Sequence, residues 1–196
     1  MASTCAADII LDQQFSFTSS IANSTNGDVS QMGQTFTVGF EGTLHRIDVY
    51  MFRLDGIFDP TGVPQLRVYN TAGGLPVGSE LLMTSVPKLN VPLNNAAFVS
   101  FDVSSFNLAV NPGDMLAFSI TASTGTGPYF LPSSQGQAIN YTGGTAVAKF
   151  GANPWQFFAQ NQDHSFRTYV NAVPEPSGAV LTLILTMISL ASRRRR

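Results

Sequence analysis

The chain is poor in cysteine, in charge and in histidine, and each shortage closes a class of explanation. Its 196 residues hold one cysteine, Cys5, so no intrachain disulfide forms and no zinc site of cysteine spacing exists. The fold must rest on its core. Charged residues are 11% of the chain, far below the roughly 25% of an ordinary soluble domain. Four of the ten basic residues are Arg193, Arg194, Arg195 and Arg196; the other six (Arg46, Arg53, Arg67, Lys88, Lys149, Arg167) are scattered against twelve acidic ones. With no basic stripe, nucleic acid is not an expected partner. His45 and His164 are the only histidines and match no ligand spacing such as HExxH; His164 reads as a strand-edge residue. No Gly-x-Ser-x-Gly occurs around any serine. The loop from Asp55 to Asp59 lacks the spacing and distal glutamate of an EF-hand and reads as a solvated loop. No catalytic residue, cofactor or metal is therefore expected. A small hydrolase of unrecognised type would need two close carboxylates or a Ser–His pair that the sequence does not announce.

What is present is apolar and periodic. Apolar residues make up 44% of the chain, enough for one compact domain with a real core. Between Ile9 and Ala172 no helical period stands out. Short alternating runs recur between Gly, Pro, Asn and Ser. Gln34–Val38 is one run. Leu44–Leu54 sets Ile47, Val49 and Met51 against Arg46, Asp48 and Tyr50. Gln65–Tyr69 places Leu66 and Val68 on one face. Ala97–Val103 turns Val99, Phe101 and Val103 inward, and Met115–Thr121 does the same with Leu116, Phe118 and Ile120. Ser165–Val170 groups Phe166, Thr168 and Val170. Period two with polar partners marks antiparallel sheets covered on one side. The expected fold is all-β, an antiparallel β-sandwich of jelly-roll type. Asn111-Pro-Gly-Asp114 suits a turn with proline second and glycine third. Thr71-Ala-Gly-Gly74 and Thr142-Gly-Gly144 read as glycines needed for positive φ.

The last 25 residues change character three times. Pro174 and Pro176 flank Glu175, and two prolines impose an extended, unpaired strip from Val173 to Ser177. Gly178–Ala191 carries no charge; as a helix it spans about 21 Å, against about 30 Å of hydrocarbon. Its apolar residues run all round the helix and leave no polar face, which argues against a helix docked on a domain. The four terminal arginines each cost about 2.5–3.5 kcal/mol near a bilayer centre, so they stay cytoplasmic and set the orientation.

Val173-Pro-Glu-Pro176, the short apolar helix and the arginine cluster, in that order, resemble the PEP-CTERM sorting signal of bacteria. The resemblance implies a membrane-embedded processing enzyme of exosortase type as partner, with Pro174, Glu175 and Pro176 as its recognition residues and Arg193–Arg196 as the membrane stop. It also implies a stay in the inner membrane through residues 178–192, followed by release to the cell envelope or beyond. The expected organisation is a signal-peptide remnant over 1–7, because Thr4-Cys-Ala-Ala7 has the small residues of a cleavage end. A β-sandwich ectodomain over 8–171, the Pro-rich motif over 172–177, a C-terminal transmembrane helix over 178–192 and the arginine cluster over 193–196 follow. In the body, Gln34-Thr-Phe-Thr-Val38, Gly73-Gly-Leu-Pro-Val-Gly78, Phe98-Val-Ser-Phe-Asp-Val103, Leu108-Ala-Val-Asn-Pro-Gly-Asp114, Tyr141-Thr-Gly-Gly144 and Asp163-His-Ser-Phe-Arg-Thr-Tyr-Val170 resemble the β-sandwich ectodomains that precede bacterial surface anchors. That resemblance implies architecture and no activity. The alternative role is a carbohydrate-binding module on the same anchor, meeting an extracellular polysaccharide with Trp155, Tyr129 and Tyr141 as flat apolar stacking faces. The bland reading of Trp155 is a ring that caps the core.

Overall fold

The computed structural model describes residues 8–17, 22–26, 30–123, 127–134, 140–158 and 162–172. Residues 1–7, Pro174, Glu175 and Pro176, the apolar segment 178–192 and Arg193–Arg196 lie outside the described residues. Among the described residues there are thirteen strands and no α-helix; no helix there is long and apolar enough to cross a membrane. The strands are β1 (Ile9–Phe15), β2 (Ala22–Asn26), β3 (Ser30–Thr37), β4 (Gly42–Arg53), β5 (Pro64–Ala72), β6 (Leu75–Ser85), β7 (Ala97–Asp102), β8 (Ala109–Val110), β9 (Met115–Ala122), β10 (Pro128–Pro132), β11 (Ala146–Phe150), β12 (Gln156–Phe157) and β13 (Phe166–Ala172).

All pairings between them are antiparallel. One sheet runs β1-β13-β4-β10-β2, with β7 and β8 also on β4; the other runs β12-β11-β3-β9-β5-β6. The fold is all-β and sandwich-like, because the inward positions of both sheets share one core. Phe166 of the first sheet meets Phe36 and Phe118 of the second at ring distances of 6.1 and 5.6 Å. Around them Leu44, Ile47, Val49, Met51, Leu66, Ile120 and Leu131 are fully buried. Burying each such side chain contributes about 1.5–3 kcal/mol, which is what holds a chain without disulfides together.

The period-two runs become β3, β4, β5, β7, β9 and β13 with their inward residues as expected. Three readings are corrected. First, β9 is buried on both faces: Ala117 and Ser119 are as enclosed as Phe118 and Ile120. Gln31 Oε1 accepts from both Tyr69 Oη and Ser119 Oγ over that outer side, and Trp155 packs edge-on against Tyr69 at 5.4 Å. A central strand roofed on its outer side needs small residues there. Second, Gly143 and Gly144 are not among the positive-φ glycines, whereas Gly73 and Gly74 are (φ 58° and 78°). The Thr142–Gly144 glycines serve close approach instead: a Cβ on Gly144 would run into Thr35 O across the chain. Third, His164 is no edge residue; it is fully buried.

Candidate functional site

The outer face of the first sheet sets two arginines and two aspartates among aromatic rings: Arg46, Asp48, Asp102 and Arg167. In β4, Ile47, Val49 and Met51 point inward, which sends Arg46, Asp48, Tyr50 and Phe52 outward. In β13, Phe166, Thr168 and Val170 point inward and Arg167 and Tyr169 outward. In β7 the outward residues are Phe98, Ser100 and Asp102. Register aligns these rows across three strands: Tyr169–Arg46–Asp102, Arg167–Asp48–Ser100, and Tyr50 against Phe98.

The side chains interlock along diagonals. The Arg46 guanidinium lies 3.8 Å from the centre of the Tyr169 ring, and its Nε is 3.0 Å from Asp48 Oδ1. The Arg167 guanidinium lies 3.9 Å from the centre of the Phe98 ring. Tyr50 and Phe98 meet at 5.2 Å, and Phe52 stacks on Phe130 of β10 at 5.2 Å. Each cation–ring contact is worth about 0.5–2 kcal/mol and fixes a planar group in place. Asp48 is only 4% exposed, so the acid is spent inside while the Arg46 side chain keeps 36% of its surface. Arg167 forms no ion pair among the described residues, and its buried Nε finds no hydrogen-bond partner there. A hollow of about 140 Å³ lined by Ser16, Phe17, Tyr50, Phe98 and Ser165 adjoins the rings. Fixed guanidinium donors beside flat rings suit a ligand with hydroxyls at its rim and C–H groups on its faces.

The second polar constellation is closed. Asp163 Oδ1 accepts from Gln34 Nε2 at 2.7 Å and Oδ2 from the Tyr141 backbone N–H at 2.9 Å. The Asp163 N–H donates to Ser134 Oγ at 3.0 Å, and the His164 N–H donates to Gln34 Oε1 at 3.0 Å. The His164 ring has Nδ1 3.3 Å from Pro132 O and stacks with Phe158 at 6.3 Å. Burial pushes its pKa down from 6.5 to about 4, against a small upward pull from the Pro132 carbonyl, so the ring is neutral. Burial also raises the Asp163 carboxyl, against the hydrogen bonds that favour its anion. The Asp163 carboxylate is committed to Gln34 and Tyr141, and the imidazole beside it is fully buried; this geometry ties β3 and β10 to the chain just before β13.

The residues nominated from sequence do not assemble into one platform. Tyr129 is fully buried and its hydroxyl donates to Gly62 O at 2.7 Å. Tyr141 is half-buried against Phe15 and Phe166, with its hydroxyl on Gln13 Oε1 at 2.9 Å. Trp155 is partly exposed and leans on Tyr69. Asp59 of the 55–59 loop holds two cations, Arg53 Nη1 and Lys88 Nζ, each at 2.8 Å. The Lys88 hydrogen bond leads in holding its carboxyl below the usual range. Among the described residues no group of three or more His, Cys, Asp or Glu is placed to hold a metal ion. Sequence reading missed the β4–β7–β13 face, although its signal was present: the outward positions of Leu44–Leu54 are Arg, Asp, Tyr and Phe in a chain whose polar residues are mostly Ser, Thr, Asn and Gln. No known family model matches the chain, nor does any curated protein.

Proposed function

We propose that the chain is an exported, non-catalytic surface or extracellular-matrix protein: a jelly-roll body handed to the cell envelope by a PEP-CTERM-like tail. The observation that carries the reading is the order of features written along the chain after Ala172. The last strand ends there, one residue before Val173, where the proline-bracketed motif, the uncharged segment and the arginines begin. Among the described residues, both sheets and their shared core use the chain up to Ala172. The jelly-roll reading is supported by nested antiparallel pairing of the long strands: β1 with β13, β3 with β9, β4 with β7 and β5 with β6. An exosortase-type enzyme is the processing partner, Pro174, Glu175 and Pro176 its recognition residues, and 178–192 the transient inner-membrane segment. Mass determination of the protein recovered from its producing cells tests this. The expected mature mass lacks the tail, and Pro174→Ala with Pro176→Ala leaves the tail attached. A wild-type protein recovered with residues 173–196 intact overturns the sorting reading.

A second reading, that the body is a carbohydrate-binding module for an extracellular polysaccharide, is favoured by the arginine–aromatic face. Tyr50, Phe98 and Tyr169 supply the rings, and Arg46 and Arg167 the donors, in place of a platform built on Trp155, Tyr129 and Tyr141.

A further inference from the structure

Two short turns beside the Arg53 end of β4 carry the most exposed large apolar side chains among the described residues. Ile57 is 91% and Leu89 81% exposed, flanked by Phe58 and Leu93. Single exposed apolar residues are ordinary; a cluster on turns held this firmly is not. The 3-10 turn Gly56–Phe58 is capped by Asp55, whose Oδ1 accepts from the Gly56 N–H at 2.7 Å. The 3-10 turn Lys88–Asn90 closes when the Val91 N–H donates to Lys88 O at 3.0 Å. Asp59 receives both Arg53 and Lys88, and Arg53 Nε donates to Val91 O at 3.1 Å, so one network clamps the two turns side by side.

The position of this tip in the fold indicates what it meets. Strand β4 begins at Gly42, paired with Ala172 where the described chain leaves, and ends at Arg53 beneath the tip. Its twelve residues put roughly 36 Å between the two ends at about 3.3 Å per residue. The tip thus points away from the exit of the chain. Its four charges balance, and three are already bonded to one another, Arg53 and Lys88 on Asp59, so the apolar side chains are what the tip offers. An anionic lipid surface recruits through an excess of cations, which the tip lacks. A two-fold contact needs no such excess: a neutral apolar patch can bury itself against its own copy.

We propose that the Ile57–Leu89 tip is a self-association surface at which two copies of this chain meet end to end, their chain exits facing apart. Four apolar side chains per copy make a small contact of the transient class. Association therefore appears at high local density, where many weak contacts act together.

The full chain reconstituted into vesicles of neutral phospholipid tests this, and only this vesicle readout rests on the membrane reading of the tail. Flotation reports that reading separately. Wild-type vesicles are expected to cluster, with a several-fold rise in scattering size. Ile57→Glu with Leu89→Glu abolishes the rise, while Met83→Glu, an exposed apolar residue of β6, leaves it unchanged. Protein-free dyed vesicles stay out of the clusters. Equal scattering for wild type and double variant overturns the proposal, as does recruitment of the protein-free vesicles, which assigns the tip to lipid. If the chain does not float, sedimentation over a range of protein concentrations up to the solubility limit decides: the weight-average mass must rise with concentration for wild type and not for the double variant, folded by circular dichroism.

Discussion

Strand β13 has two faces, and they use polar groups in opposite ways. Just before its inward face lie Asp163 and His164, where each charged or nearly charged atom is bonded to a neighbour or withdrawn into neutrality. On its outward face, Arg167 and the nearby Arg46 rest on aromatic rings, and Arg167 forms no ion pair within 4 Å among the described residues. Both regions mix rings with ionisable groups, so composition does not separate them; closure does. The inward network leaves His164 Nε2 without a partner among the described residues, but its carboxylate is bonded at both oxygens, and such a network fixes the fold. One that leaves a guanidinium without its anion has something left to offer a ligand. The contrast separates stability from binding, and each face has its own test.

The largest effect is expected where the inward face meets the other sheet. Phe166 touches Phe36, Phe118 and Tyr141 and is fully buried. Phe166→Ala should cost about 3–5 kcal/mol, through lost burial and the cavity left behind. Tyr169→Ala, three residues along on the outward face, should cost about 1 kcal/mol or less. Urea unfolding midpoints measure both. Comparable losses for the two would erase the distinction between the faces.

The closed network also predicts a pH dependence. The unfolded His164 takes up a proton near its ordinary pKa of 6.5, while the folded ring resists until about 4. Between those values acid favours the unfolded chain. Stability from this group is complete above pH 6.5, falls as pH drops through the window and levels off below about 4. At 1.36 kcal/mol per pKa unit, the loss amounts to up to about 3 kcal/mol. Asp163 acts in the other sense over its own window: its folded carboxyl is raised above 3.8, so taking up its proton favours the folded chain as pH falls from that raised value towards 3.8. Unfolding free energies measured from pH 7 to 4 should therefore slope downward for wild type, and His164→Phe should remove that slope. A slope that survives the substitution would place the titrating group elsewhere.

Much of the architecture was legible because it depends on local alternation. Ile47, Val49 and Met51, or Leu116, Phe118 and Ile120, declare an inward face within seven residues. What escaped depends on what lies across a gap. Gly144 is glycine because Thr35 O passes close by, and His164 is neutral because β10 and Phe158 enclose it. Thr35 and β10 both lie far away in sequence. The same holds for binding candidates. Trp155, Tyr129 and Tyr141 were grouped because they share the final third of the chain, yet Tyr129 is interior. The outer face is composed from β4, β7 and β13, and only register brings Tyr50 to Phe98 and Arg167 beside Asp48. The tail was legible without any fold, since its order of motif, apolar stretch and arginines is written along the chain.

The smallest change in stability should accompany the clearest change in binding. Tyr50→Ala and Arg167→Ala remove partly exposed groups that each meet the Phe98 ring, so each should shift unfolding by about 1 kcal/mol or less. If the outward face holds a polysaccharide, losing a stacked ring or a charge-assisted donor costs about 1–2 kcal/mol of binding, roughly a tenfold fall in affinity. Arg167→Lys sharpens the point: it keeps the charge but loses the planar group that lies on Phe98, so affinity should fall nearly as far as with alanine. Trp155→Ala, on the other sheet, should leave binding unchanged. Retention of polysaccharide pulled down from the producing cells, measured for the four variants at equal folded concentration, ranks them. Binding that follows Trp155 and ignores Tyr50 and Arg167 would move the ligand to the second sheet. Binding indifferent to all four would leave the arginine–aromatic face a purely structural lattice, in which Arg46 and Arg167 serve only to cover their rings.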